Sequence, residues 1–217
     1  LLVRKMVQMA KSAKVEKICF DFSDFKFSFI NISDIEIAEI IGTQLEFANY
    51  EFTEYKSKKE NTLLKEVFIT GTDKNIEKSI LKGHIIAEEV NKTRSLSNTP
   101  GGDMTPKILA EKACEAVKGL PVKVTVLGEK EMEKLKMRAI LSVGRGSDEE
   151  SKFIIMEYLG TSKKEKPIVL VGKGVTFDSG GLNLKPASSM NGMNMDMSGG
   201  ASVIHTLALV AKMKLKK

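Results

Sequence analysis

The sequence predicts an α/β protein: a partial N-terminal α/β domain joined by a long helix to the first part of a second α/β unit with a mixed sheet. Three observations carry this prediction. Short apolar runs alternate with amphipathic helical patterns along the whole chain. The run Asn98, Thr99, Pro100, Gly101, Gly102 is the strongest break and starts a second unit. Finally, Ile168 to Val171, bounded by Pro167 and Gly172, reads as a buried parallel strand with a polar, glycine-rich segment at its carboxyl end.

Residues 3 to 13 carry Val3, Met6, Val7 and Ala10 on one helical face, and Val15 to Asp21 then reads as a strand. Ser33 with Glu36 three residues later forms a capping box before a helix whose apolar face is Ala38, Ile41, Leu45 and Ala48. Lys56 to Asn61 is a loop, and Glu66 to Thr70 a second strand. This layer is too small for a complete doubly wound sheet, so further strands are expected before Leu1. A long helix follows from Asp73 to about Arg94, with Ile76, Ile80, Ala87 and Val90 facing inward and Gly83 interrupting it. His84 on this helix has no second His or Cys at ligand spacing and reads as a surface or interface residue.

In the second unit Thr105 caps a helix that starts at Pro106 and buries Leu109, Ala113, Ala116 and Val117. Val122, Val124 and Val126 alternate as a half-buried strand, and Glu129 to Lys136 is a short helix. Strands are expected at Ala139 to Val143 and Phe153 to Tyr158, then at Ile168 to Val171. The last helix begins near Ser198 with Val203, Leu207 and Val210 inward, and His205 beside that stripe reads as a packing or hydrogen-bonding residue.

Composition narrows the function classes. The chain has 217 residues, 42% hydrophobic and 29% charged, which excludes a disordered protein and supplies enough apolar surface for a core without disulfides. No apolar window is long enough to span a bilayer and the amino terminus lacks the apolar stretch of a signal peptide, so a cytoplasmic protein is expected. Cys19 and Cys114 are expected as two buried free thiols. Net charge is +6, from 34 basic and 28 acidic residues. The lysines are dispersed without interleaved aromatics, so a solvated basic surface is expected rather than a nucleic-acid site. Leu1 at the start and AKMKLKK at the end read as cuts in a longer protein.

The chemistry concentrates in Pro167 to Gly200, where Lys173, Asp178, Lys185 and Asp196 stand among small residues. The segment fits neither a phosphate loop, a dinucleotide fingerprint nor a G-x-S-x-G elbow. Two aspartates from one loop system repel unless something positive lies between them. A lysine can fill that place in a plain salt-bridge network. Hard oxygen ligands also suit Mg²⁺, Mn²⁺ or Zn²⁺, and a metal beside an amine would hold it neutral as a nitrogen ligand while a distal lysine stays protonated. The residues alone leave both readings open.

VGKGVTFDSGGLNLKP followed by MNGMNMDMSGGASV closely resembles the central motif of the leucyl aminopeptidases, the M17 family of dinuclear-metal exopeptidases. NTPGGDMTPKILAEKA resembles the opening of that family's catalytic domain, and MRAILSVGRGSDEESKFIIMEYLG the strand pair before the metal motif. FANYEFTEYKSKK is similar to the end of its amino-terminal domain. The resemblance implies a domain pair: 1–92, the end of the N-terminal domain plus linker helix, and 93–217, the start of the M17 catalytic domain. It implies Lys173, Asp178 and Asp196 as metal ligands, with Asp178 bridging two divalent ions, Mn²⁺ or Zn²⁺, and Lys185 as the catalytic lysine that polarises the scissile carbonyl. Met190, Met193, Met195 and Met197 would partly line a pocket for an apolar first side chain or pack in the core.

On the same resemblance the protein releases amino-terminal residues, leucine preferred, from peptide substrates by two-metal hydrolysis and assembles as a homo-hexamer. The family's later N-T-D-A-E-G-R motif is absent between Asp196 and Lys217, so one ion keeps three protein ligands and the other only Asp178. Weak metal binding and little activity are expected of this chain alone. The competing expectation is a degenerate relative acting as a non-catalytic binding protein, for nucleic acid among other partners.

Overall fold

The computed structural model describes residues 1–27, 29, 31–57, 63–161 and 166–216. The chain divides into two compact units, Leu1–Asn91 and Lys92–Lys217. Both are α/β, as the alternating patterns predict.

In the first unit, β1 (Lys17–Asp21) and β2 (Glu66–Thr70) pair in parallel, with Lys17 opposite Glu66 and Asp21 opposite Thr70. Helix α1 (Leu2–Ser12) buries Val3, Val7 and Ala10, the face its periodicity predicts. Helix α2 (Asp34–Asn49) opens on the predicted capping box. The Glu36 N–H donates to Ser33 Oγ at 3.3 Å while Glu36 Oε2 accepts from the Ser33 N–H at 2.8 Å. Phe22, Phe25, Ala38, Ile41 and Ile76 join Val3 in the core. Lys58 to Asn61, part of the expected loop, lie outside the described residues.

Helix α3 (Lys74–Asn98) starts where Asp73 Oδ1 accepts from the Asn75 and Ile76 N–H groups, and it runs past the expected end without a break at Gly83. That glycine permits close packing. A Cβ on Gly83 would stand 2.0 Å from the Glu39 carbonyl oxygen, and one on Gly42 would stand 2.0 Å from that of Ile80. A reciprocal pair of glycines therefore lets the α2 and α3 backbones touch, which a helix-propensity reading treats only as a cost. Ala87 is buried as expected, but Val90 is exposed and its neighbour Glu89 is buried instead.

In the second unit, α4 (Pro106–Ala116) begins at the predicted cap, the Ile108 N–H donating to Thr105 Oγ1 at 3.3 Å. Strand β3 (Val122–Leu127) pairs antiparallel with β4 (Phe153–Tyr158), Val122 opposite Tyr158. Between them lie α5 (Glu129–Lys134) and α6 (Arg138–Gly144). The expected strand at Ala139 to Val143 is thus a helix. A short apolar run fits either period, and the chain turns from α5 directly into α6 through Lys136 at φ 57°.

Among the described residues this unit's sheet is the β3–β4 pair, and Ile168 to Val171 joins no ladder; its side chains are 49 to 90% exposed. An isolated apolar run has β character only once a neighbour satisfies its backbone. After it come α7 (Ala187–Met190), a 3-10 turn at Met193–Met197, and α8 (Ser198–Lys212). Helix α8 buries Ala201, Ile204, Ala208 and Ala211 rather than Val203, Leu207 and Val210. Small residues dominate that face because α8 packs closely beneath β4 and α4, around Met104, Leu109, Ala113 and Met197.

His84 is exposed beside Glu46, with Nδ1 3.3 Å from Oε2, and His205 is buried on α8, both as the sequence suggests. The expected burial of the cysteines does not hold: Cys19 and Cys114 are exposed free thiols. Cys19 takes the outward position of alternating β1, and Cys114 lies next to the stripe of α4, not on it. No described helix is long and apolar enough to cross a membrane.

Candidate active site

Close glycine packing builds the site. A Cβ on Gly172 would stand 2.3 Å from the Gly199 carbonyl oxygen, and the Gly200 N–H donates to the Lys173 carbonyl at 2.6 Å. The start of α8 thus lies directly against the Gly172 and Lys173 backbone, which larger residues would forbid. From there Lys173 reaches Asp196, in the 3-10 turn that leads into α8: Nζ is 2.6 Å from Asp196 Oδ2.

The second glycine device is the turn at Gly180, at φ 90°. Its N–H donates to Asp178 Oδ1 at 2.9 Å, and the Lys185 N–H donates to the Ser179 carbonyl at 2.9 Å. This folds the loop back so that Lys185 Nζ stands 3.0 Å from Asp178 Oδ2, while Lys173 Nζ stands 3.8 Å from the same oxygen. The four predicted residues are therefore gathered in one alternating chain of charge: Lys185, Asp178, Lys173, Asp196.

The electrostatics follow from this order. The Lys185 ammonium and the Gly180 N–H hold the Asp178 carboxyl below its ordinary range, with the Lys173 charge adding to them and burial opposing. The Asp196 carboxylate at bonding distance raises the Lys173 ammonium above the usual lysine value, against partial desolvation, and Asp178 adds to the effect. Lys173 is thus an ammonium here, supplying the positive charge that two facing carboxylates require.

Whether the same residues fit a metal ion turns on Asp196 and on the donor set. Asp196 Oδ2 is buried and makes no aligned hydrogen bond among the described residues; only the ion pair with Lys173 compensates it. An acceptor in that state suits a cation. Two carboxylates and one amine form a hard oxygen and nitrogen set appropriate to Mn²⁺ or Zn²⁺. Among the described residues no group of three His, Cys, Asp or Glu gathers as a metal site, so the set depends on the Lys173 nitrogen. The described residues of this set fit one ion.

Sequence reasoning missed the supports. Asn194 Nδ2 donates to the Ser97 carbonyl at 3.1 Å and the Thr99 carbonyl at 3.4 Å, and Ser198 Oγ donates to Ser97 Oγ at 2.9 Å. The turn carrying Asp196 is thereby tied to the end of α3. The only signal was a polar residue between methionines, which no periodicity explains. The methionines divide: Met197 is fully buried core, Met195 is half exposed, and Met193 Sδ accepts from Lys185 Nζ at 3.0 Å.

Residues 91–217 match the family described as "Cytosol aminopeptidase family, catalytic domain". The chain is 40% identical over 215 residues to a probable cytosol aminopeptidase of Rickettsia bellii, covering 97% of this chain and 42% of that protein. It is 43% identical over 185 residues to a probable cytosol aminopeptidase of Bdellovibrio bacteriovorus, covering 83% and 37%. The chain spans about two fifths of the length of these curated relatives. Among solved structures it is similar to the bottromycin maturation enzyme BotP in complex with Mn, with a TM-score of 0.81 and 26% identity, over 99% of this chain and 45% of that one.

Proposed function

Since the chain belongs to the cytosol aminopeptidase family, we propose that it carries one wall of a metal-dependent aminopeptidase site that releases amino-terminal residues, leucine preferred, from peptides. The observation that carries this reading is the convergence of Lys173, Asp178 and Asp196 on one cationic position, with Lys185 adjacent. BotP, a neighbour in fold, is known in complex with Mn, which supports metal dependence here.

Lys173, Asp178 and Asp196 would hold the first ion, and Asp178 would reach a second. Bound there, the ions supply a water of lowered pKa and Lewis acidity toward a carbonyl. To serve as a nitrogen donor Lys173 Nζ must release its extra proton, which a cation's charge favours. Asp178 is fixed by the Gly180 N–H, and Asp196 by the turn anchored on Ser97. Lys185, 3.0 Å from Asp178, directs its Nζ at the scissile carbonyl, where it stabilises the developing oxyanion. We place the protein in the cytoplasm as a homo-hexamer, in line with the family.

The test is hydrolysis of leucine amide with added Mn²⁺ or Zn²⁺. The 217-residue chain, with Asp178 the one described residue placed for a second ion, is expected to turn over little. Extended to the length of its relatives it is expected to be active, and Asp178→Ala should abolish that activity. Full activity in Asp178→Ala would overturn the assignment.

A further inference from the structure

The contact between Lys185 and Met193 has a geometry that packing alone does not require. An ammonium has three N–H donors. One is directed at Asp178 Oδ2 at 3.0 Å and a second at Met193 Sδ at 3.0 Å. The third is the one left to point away from both. A thioether is a weak acceptor, so its value lies in where it is held.

Met193 is held on both sides. Gly192 before it adopts φ 84°, turning the chain out of α7. Asn194 after it is anchored on the Ser97 and Thr99 carbonyls. The same short turn bears Asp196, so the sulfur and the Asp196 carboxylate share one backbone support. Lys185 is partly buried, with its ammonium between an anionic and a neutral acceptor that approach from different segments.

We propose that Met193 is a positioning residue for Lys185: its thioether and the Asp178 carboxylate together fix the ammonium so that one N–H remains directed at the substrate carbonyl. This rests on Lys185 being the lysine that polarises that carbonyl. With Asp178 as the only acceptor, the ammonium pivots about one contact, and the direction of its free N–H is lost.

The test compares Met193→Leu, which keeps volume and removes the acceptor, with Met193→Gln, which keeps length and an acceptor. The probe is the Lys185 Nζ resonance of the ¹⁵N-lysine-labelled 217-residue chain, assigned with Lys185→Arg. Ordered ammonium signals persist only where donors are held. The expected result is a resolved Lys185 signal in wild type and in Met193→Gln, and its loss in Met193→Leu. A signal kept in Met193→Leu overturns the proposal, as does loss in Met193→Gln with retention in Met193→Leu, which is the pattern of simple packing. If Met193→Leu fails to fold by circular dichroism, Met193→Ile takes its place with the same expected and overturning results. Mn²⁺ titration of the wild-type chain reports separately on the metal reading, so failure of one is distinguishable from failure of the other.

Discussion

Lys173 Nζ lies 2.6 Å from Asp196 Oδ2, a buried oxygen that makes no aligned hydrogen bond among the described residues. The ammonium stands where the carboxylates would hold a cation, and proton and metal therefore compete for one position. From this competition Mn²⁺ affinity is expected to rise with pH, by about tenfold per unit while Lys173 is protonated. Calorimetric titrations in two buffers of different ionisation enthalpy measure the proton released. Binding that is independent of pH and releases no proton would exclude Lys173 as a donor.

Without metal, the charge chain contributes to stability in a window set by its two shifted groups. Asp178 is lowered from 3.8, so its contribution is present above that value and lost as pH falls through the lower folded one. Lys173 is raised from 10.5, so its contribution is complete below that value and lost as pH rises through the higher folded one. The stability difference between wild type and Lys173→Met should therefore be largest near neutral pH and shrink as pH falls through the acid range of Asp178 or rises past 10.5. Thermal melts from acid to alkaline pH check it.

Gly180→Ala should disturb the site and its loop together. The backbone is at φ 90°, and the new methyl would stand 2.4 Å from the Asn183 carbonyl oxygen. Shifting this turn moves Asp178 away from Lys185, so the variant is expected to lose Mn²⁺ binding along with about 1–3 kcal/mol of stability. Parallel Mn²⁺ and urea titrations measure both.

Gly83→Ala acts far from the chemistry. Its methyl would meet the Glu39 carbonyl oxygen at 2.0 Å, backbone against backbone, so α2 and α3 must separate. A loss of about 3 kcal/mol is expected, the upper end for overpacking, and Mn²⁺ binding should be unchanged. Urea unfolding gives the first value. Ser33→Ala, by contrast, should cost about 1 kcal/mol, the ordinary value of a cap.

Much of this molecule was legible where local chemistry decides structure. The Ser33 and Glu36 capping box, the Thr105 and Pro106 start of α4 and strand β4 depend on neighbouring residues, and the structure has them where the pattern places them. Reading failed where tertiary neighbours decide. Arg138 to Gly144 is helical because a short apolar run fits two periods. The inward face of α8 is its small-residue face, since proximity to β4 and α4 outweighs side-chain size. Gly83 resembled an interruption because its partner, Glu39, lies far away in sequence.

At the site, the density of Lys173, Asp178, Lys185 and Asp196 was visible, and the structure gathers all four. Their pairing was not visible, since it depends on the Gly180 turn and on the contact of Gly172 with Gly199. Met193 escaped notice because a thioether among four methionines has no sequence signal that separates an acceptor from a core residue.

The central claim is that Asp178, Asp196 and Lys173 form a cation site. Equilibrium titration of the 217-residue chain with Mn²⁺ tests it most directly, comparing wild type with Asp178→Asn and Asp196→Asn. Binding of one Mn²⁺ by wild type, and its loss in both variants with folding intact, is the predicted result. Equal binding by wild type and both variants, or none by wild type at any pH where it is folded, would contradict it.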